Sequence, residues 1–310
     1  MVALESGVKV GHYQHRSAPT GCTVFLFSEP NRAVASVLGR APGEREVSVL
    51  HSGNLVESVD AIFFSGGSAF GLCVGEGVVS FLRERGKGFL TKAGPVPIVS
   101  GAVIYDLEVS EGVVPTAEWG YLAAQKASFP PQEGSVGAGA GATVGKALGM
   151  SYAMKGGFGW SRVKAGEGYV DSFVVCNALG DVYDPFEGRL LAGVRGLSGK
   201  PVGFFGASGD FSSSPFNTTL LLLFFSFELS REELEALSKV VHSALALCVR
   251  PLATLYDGDL VFLVAGKGGK KAGYLEIVRA IYESVGKATV NAVCRAQGIR
   301  GIPAYSDIMF

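Results

Sequence analysis

Six consecutive apolar residues, Leu220-Leu221-Leu222-Leu223-Phe224-Phe225, follow without a break on the polar stretch Ser212-Ser213-Ser214-Pro215-Phe216-Asn217-Thr218-Thr219. Six residues are far too few to span a bilayer. Bounded by a polar, flexible segment, they predict one of the most deeply buried strands of the fold. Hydrophobic residues make up 48% of the chain and charged residues 18%, so a sizeable core can cover that strand. The Asn217–Thr218 peptide bond lies at the point where loop becomes core.

The remaining composition narrows the function classes. The 310 residues carry a formal net charge of −1 with no basic stripe, so no nucleic-acid partner is expected. Met1 to Glu5 has neither a charged nor an apolar signal region, and no membrane segment is predicted. Cys22, Cys73, Cys176, Cys248 and Cys294 are scattered and never form a C-x-x-C pair. They predict reduced, buried thiols and a cytoplasmic protein.

In chain order, Cys22 to Phe27 and Ala33 to Leu38 predict two strands separated by a turn at Glu29-Pro30-Asn31, with a polar loop over Arg40 to Glu46. Val59 to Phe64 predicts a strand, Ala69 to Arg85 and Thr116 to Ser128 helices, and Val96 to Leu107 strand and loop. A hairpin is predicted from Gly157 to Lys164 and Tyr169 to Asn177, then a loop from Gly180 to Gly199. Ser230 and Glu233 form a capping-box signature before a helical apolar repeat ending near Arg250-Pro251. Leu260 to Val264 predicts a strand and Gly273 to Gln297 a final helix. No internal repeat or long linker interrupts this pattern, so an α/β chain forming a single domain over 1–310 is expected.

Several glycine-bearing stretches invite a ligand. Ser65-Gly66-Gly67-Ser68 reads either as a tight strand-to-helix turn or as an anion site on backbone amides. In Gly134 to Lys146, a dinucleotide fingerprint fails because Val144 stands where the third glycine belongs. A P-loop fails on spacing and on Ala147, which replaces the required Ser or Thr. No nucleotide cofactor follows. His12 and His15 lack the helical, acidic surroundings of a metal site and are read as structural, so no metal is expected.

The chemistry at Asn217–Thr218 is different. A threonine hydroxyl can attack the preceding carbonyl to give an ester, and hydrolysis then frees a new N-terminus at Thr218. Its α-amine, with a reference pKa of about 7.7–8.0, is partly neutral near pH 7 and can serve as the base for its own hydroxyl. This scheme needs a cation and an amide for the oxyanion, and carboxylates to handle protons. Lys146, Asn177, Asp257 and Asp259 have the right chemistry. Taken alone, Asn177 also reads as a turn former, Asp257-Gly258-Asp259 as an ordinary turn, and Tyr105 as a core tyrosine.

Gly137-Ala138-Gly139-x-Gly141-Ala142-Thr143-Val144-Gly145-Lys146, Cys176-Asn177-Ala178-x-Gly180-Asp181, Asn217-Thr218-Thr219-Leu220 and Asp257-Gly258-Asp259 together resemble the DmpA-like aminopeptidase family. That family includes L-aminopeptidase/D-esterases, β-peptidyl aminopeptidases and 6-aminohexanoate-oligomer hydrolases. Val10-Gly11-His12, Gly21-Cys22-Thr23, Gly39-x-Ala41-Pro42-Gly43 and Pro97-Ile98-Val99 extend the likeness over nearly the whole chain.

The resemblance implies a four-layer αββα sandwich and a homo-oligomer, a tetramer or larger. It also implies self-cleavage into chains 1–217 and 218–310. By position, Thr218 resembles the nucleophile and Asn217 the residue before the cut. Asn177 and Lys146 match oxyanion and proton-handling positions, and Asp257 and Asp259 match the paired acids of the nylon-oligomer hydrolases. Tyr105 matches a site tyrosine by a looser motif. The founding aminopeptidases use serine, so the substrate, a small peptide or amide, stays open in identity. An acyltransferase of the ornithine-acetyltransferase type and an uncleaved binding or scaffold protein remain the rival readings.

Overall fold

The computed structural model describes residues 7–51, 53–211 and 216–309. Ser212 to Pro215, the centre of the expected flexible segment, lie outside the described residues. Nine strands form the main sheet. In chain order they are β1 Val8–Gln14, β2 Gly21–Val37, β3 Glu44–Arg45, β4 Ser58–Ser65 and β5 Val99–Val103. They continue as β6 Gly157–Ala165, β7 Gly168–Asn177, β8 Thr218–Phe225 and β9 Leu260–Ala265. The spatial order is β6-β7-β8-β9-β2-β4-β5-β3, with β1 also paired to β2. Four helices cover this frame: α1 Val74–Arg83, α2 Ala117–Gln125, α3 Arg231–Cys248 and α4 Tyr274–Cys294.

The apolar run behaves as expected. Every residue of β8 is buried, and successive side chains enter different cores because the strand repeats every two residues. Leu220, Leu222 and Phe224 join Phe25, Ile62, Phe64, Phe173 and Phe262 between two sheet layers. Leu221, Leu223 and Phe225 face the opposite way, onto Val241, Leu245, Ile281 and Val285 of α3 and α4. A third core packs Val24 and Phe63 against Val74, Val78, Trp119 and Ala123 of α1 and α2. Three cores separate four layers, α1/α2, sheet, sheet, α3/α4, as the family likeness implies. Each fully buried leucine or phenylalanine contributes roughly 1.5–3 kcal/mol, so β8 is strongly fixed in register.

The long β2 links the two layers and departs from expectation. Its first part, Gly21 to Phe27, pairs with β1 on one edge and β4 on the other. Its last part, from Arg32 to Val37, pairs with β9. The register against β4 shifts between Leu26 and Asn31, so the Glu29-Pro30-Asn31 signal marks an irregularity within one strand, not a turn between two. Proline lacks the amide a regular ladder needs, and a bulge tolerates that. Val24 then faces the α1/α2 core and Val34 the α3/α4 core.

Three further segments differ from the sequence reading. Gly180 to Gly199 contains strands Asp181–Tyr183 and Leu190–Ala192, which pair beside the main sheet. Glu44–Arg45 adds to β5 within the polar loop. The helix expected from Ala69 begins as a 3₁₀ turn over Ser68–Cys73 and becomes α-helical only at Val74. The capping box of α3 is present: Glu233 donates its amide to Ser230 Oγ at 3.1 Å, and Ser230 donates its amide to Glu233 Oε2 at 2.8 Å.

Candidate active site at the start of the central strand

The sheet registers bring the site together. Thr218 opens β8 opposite Asn177, the last residue of the antiparallel β7. β9 runs parallel to β8 with Leu220 beside Leu260, so the segment entering β9, Asp257-Gly258-Asp259, lies at the same end. The amides of Leu38 and Ala41 hold that segment by donating to the carbonyls of Asp259 at 2.8 Å and Asp257 at 3.0 Å. Lys146 arrives from the glycine-rich loop, whose Gly145 and Lys146 amides donate to the carbonyls of Gly180 and Leu179, both at 2.9 Å. Asn177, Asn217, Thr218, Asp257, Asp259 and Lys146 are all buried.

The scissile candidate is held in a specific pose. Thr218 Oγ1 donates to the Asn217 carbonyl oxygen at 2.6 Å, and the same oxygen accepts the Gly258 amide at 2.7 Å. The Asn217 amide donates to the Tyr256 carbonyl at 3.2 Å, completing a parallel bridge between Asn217 and Asp257. Position 258 must be glycine for this approach. A Cβ there would stand 2.5 Å from the Ala41 carbonyl oxygen and 2.9 Å from Thr218 Oγ1.

The two acids are fastened by backbone amides. Asp259 accepts from Thr219 N at 2.5 Å and Ala253 N at 3.0 Å; Asp257 accepts from Thr254 N at 2.7 Å. Burial first, and then the neighbouring Asp257 carboxylate, push Asp259 well above the usual carboxylate range. Burial brings Lys146 down to about 7, opposed most by Asp257. Lys146 Nζ donates to the Asn177 carbonyl at 3.0 Å and to its Oδ1 at 3.2 Å. Oδ1 also accepts the Thr143 amide at 3.0 Å, which orients the Asn177 NH2 toward the Tyr105 carbonyl at 3.3 Å. An NH2 has two donors, so a second remains for an incoming oxygen.

Tyr105 reaches the site through its backbone carbonyl. Its ring stacks on Phe216, with centroids 4.6 Å apart, just upstream of the Asn217–Thr218 pair. Burial and the nearby Glu108 raise its hydroxyl above the ordinary tyrosine value. The two histidines are apart in role: His12 Nδ1 lies 3.0 Å from Thr23 Oγ1, whereas His15 Nδ1 accepts the Ala18 amide at 3.0 Å. Among the described residues no cluster of metal-ligating side chains occurs.

Sequence reasoning missed two groups beneath the site. Lys155 is fully buried and donates to the carbonyls of Gly139, Ala142 and Gly156 at 2.8–2.9 Å. Asp106, pushed up to about 6 by burial, accepts the Gly67 amide at 2.7 Å. The Ser65–Ser68 turn thus directs an amide at the protein's own carboxylate. A Cβ on Gly141 would come 2.6 Å from Asp106 Oδ2, which explains one glycine of the loop that carries Lys146. A lone lysine among small and apolar neighbours was the available signal for Lys155. Lys155→Met removes a charged donor from three buried carbonyls, of which those of Gly139 and Ala142 keep the amides of Ala142 and Gly156, and is expected to cost about 3 kcal/mol. Chemical denaturation would show it, and a midpoint equal to wild type would contradict this bracing role.

Residues 6–305 match the family model described as peptidase family S58. An uncharacterized aminopeptidase of Mycobacterium tuberculosis is 34% identical, covering 97% of this chain and 96% of its own. The 6-aminohexanoate-oligomer endohydrolase of a Kocuria species is 30% identical over 83% of this chain and 72% of its own. In structure, the chain resembles the L-aminopeptidase D-Ala-esterase/amidase of Ochrobactrum anthropi, described as a variant of the Ntn hydrolase fold. The TM-score is 0.68 at 17% identity, covering 96% of this chain and 86% of the other. On the matched residues and the shared length, this chain belongs to peptidase family S58.

Proposed function

We propose that this peptidase-family chain is an autoproteolytic N-terminal-threonine hydrolase of amide bonds in small peptides or amino-acid amides and esters. The observation that carries the reading is the 2.6 Å contact of Thr218 Oγ1 with the Asn217 carbonyl, whose oxygen also faces the Gly258 amide. In the first step Oγ bonds to the Asn217 carbonyl carbon and the C–N bond breaks. The hydroxyl proton ends on the departing Thr218 nitrogen. Gly258 N–H stabilises the oxygen as it gains charge. Water then cleaves the ester, leaving the Asn217 carboxylate and a free Thr218 amine and hydroxyl.

Turnover repeats this chemistry on a substrate, with the Thr218 amine as base. Lys146 and the second Asn177 donor supply positive potential, while Asp257 and Asp259 orient the amine and carry protons. No metal or cofactor is needed for any step. The five free cysteines support a reducing, cytoplasmic setting. Exposed Leu197, Phe205 and Phe211 offer apolar surface for a homo-oligomer.

Intact mass and a denaturing gel test the reading. Two fragments, corresponding to 1–217 and 218–310, are expected from purified protein. A single chain that does not split on prolonged incubation would overturn it.

A further inference from the structure

The direction in which the Asn177 amide points is set by one donor. Among the described residues three groups face its Oδ1: the Thr143 amide at 3.0 Å, Lys146 Nζ at 3.2 Å and Thr143 Oγ1 at 3.5 Å. A hydroxyl can donate or accept. Lys146, brought down to about 7 by burial, can accept once it has lost its proton. The backbone amide of Thr143 only donates. It therefore keeps the oxygen of Asn177 on its own side and the NH2 on the other, toward the Tyr105 carbonyl.

That amide shares a peptide unit with the Ala142 carbonyl, and the unit is trans, so its C=O and N–H point opposite ways. On the carbonyl side lies Lys155 Nζ, 2.9 Å from the Ala142 oxygen and 2.8 Å from the oxygens of Gly139 and Gly156. Three acceptors around one nitrogen match the three donors of an ammonium. Burial lowers Lys155 to about 7, opposed most by Asp106, and hydrogen bonds from the charged form also oppose it. A continuous row results: Lys155 ammonium, peptide C=O, peptide N–H, Asn177 Oδ1. Hydrogen bonds in series polarise and strengthen one another. The Ala142 oxygen also accepts the Gly156 amide at 2.9 Å. Without Lys155 that neutral partner stays, but three convergent carbonyl oxygens face one another with no cation between them.

From this we infer that Lys155 is a positioning residue for turnover: it holds the Ala142–Thr143 peptide so that the Thr143 amide fixes Asn177 with its NH2 toward the substrate oxyanion. The inference rests on the hydrolase reading above, in which Asn177 supplies that donor. Lys155 is fully buried and its hydrogen bonds go to main-chain carbonyls, so its effect on the rate passes through Asn177. Two consequences follow from acting through another residue. Removing Lys155 cannot slow a step more than removing Asn177 does. Once Asn177 is gone, removing Lys155 has nothing left to disturb. An oxyanion donor acts mainly in the transition state, so the loss falls on kcat and leaves KM nearly unchanged.

The test uses self-cleaved protein, with cleavage verified by mass, and an amino-acid p-nitroanilide that the wild type turns over. Lys155→Met removes every donor from the side chain, whereas Lys155→Gln restores an NH2. The expected kcat of Lys155→Met is about 10-fold or more below wild type, with KM within about 3-fold and Lys155→Gln in between. In an Asn177→Ala background, itself roughly 100-fold slower or more, Lys155→Met should change kcat by no more than about 2-fold. Equal losses in both backgrounds, a loss confined to KM, or a wild-type kcat would each overturn the inference. So would a Lys155 variant slower than Asn177→Ala in self-cleavage or turnover, or the failure of both Lys155 variants to fold, because the residue then acts on the scaffold at large. Asn177→Ala with wild-type turnover would overturn it as well. All of these leave the hydrolase reading standing on the wild type. A wild-type chain that stays uncut, or hydrolyses no amino-acid p-nitroanilide, would overturn both.

Discussion

Thr218→Ala will remain a single full-length chain and lose turnover by about 10,000-fold or more, the scale on which removing a nucleophile acts. The reason is specific to the site. Thr218 Oγ1 is the hydroxyl in contact with the Asn217 carbonyl, and its hydrogen bond goes to that carbonyl. On the proposed mechanism, removing it deletes the attacking atom without uncovering a long-range partner. The β8 register rests on Leu220 to Phe225, which the substitution does not touch. The folded state should therefore persist, with a melting temperature within a few degrees of wild type. Thr218→Ser keeps an oxygen at the same position and should still cleave. Fragments from Thr218→Ala, or wild-type turnover by it, would remove Thr218 from the mechanism.

The second large effect concerns the buried cation. Lys146→Met should slow both self-cleavage and turnover by roughly 100- to 1,000-fold, the range for deleting one preorganised charge or donor. It also leaves Asp257 and Asp259 buried without the cation whose field they share. The signs of the pH effects follow from the shifts. Folded Lys146 releases its proton near 7 instead of 10.5, so its contribution to stability grows as pH rises through that window and is lost as pH falls. Asp259 behaves oppositely: it holds a proton the unfolded chain gives up near 3.8, so its contribution declines as pH rises above that value.

Asp257 raises both groups, so Asp257→Asn should lower both. An inflection near pH 7 in kcat/KM is expected to move to more acidic pH by about one unit. An unmoved inflection, or one displaced upward, would show that this pair does not govern the rate.

The sequence by itself determined the elements whose patterning is local. The apolar run from Leu220 marks a strand covered on both faces, the Ser230–Glu233 cap starts α3, and Gly157 to Asn177 forms its hairpin. It also singled out Thr218, Asn177, Lys146, Asp257 and Asp259 as chemically suited to one another, because side-chain chemistry is written in residue identity. Tyr105 rests on a looser motif, and in the fold its carbonyl accepts from Asn177 while its ring stacks on Phe216.

Only the tertiary structure decided what depends on register and backbone. Nothing local in Glu29-Pro30-Asn31 tells a turn from an irregularity in one long strand; the pairing of β2 with β4 and β9 does. The amide of Gly258 and the carbonyl of Tyr256 carry no side-chain signature, and they grip Asn217 only because β8 and β9 start side by side. Lys155 braces the glycine loop through the carbonyls of Gly139 and Ala142, and Asp106 takes the Gly67 amide of the Ser65–Ser68 turn, contacts between segments apart in sequence. Residue identity fixes which groups can react, whereas the positions of main-chain donors and acceptors follow from how strands align, and alignment is a property of the whole packed chain.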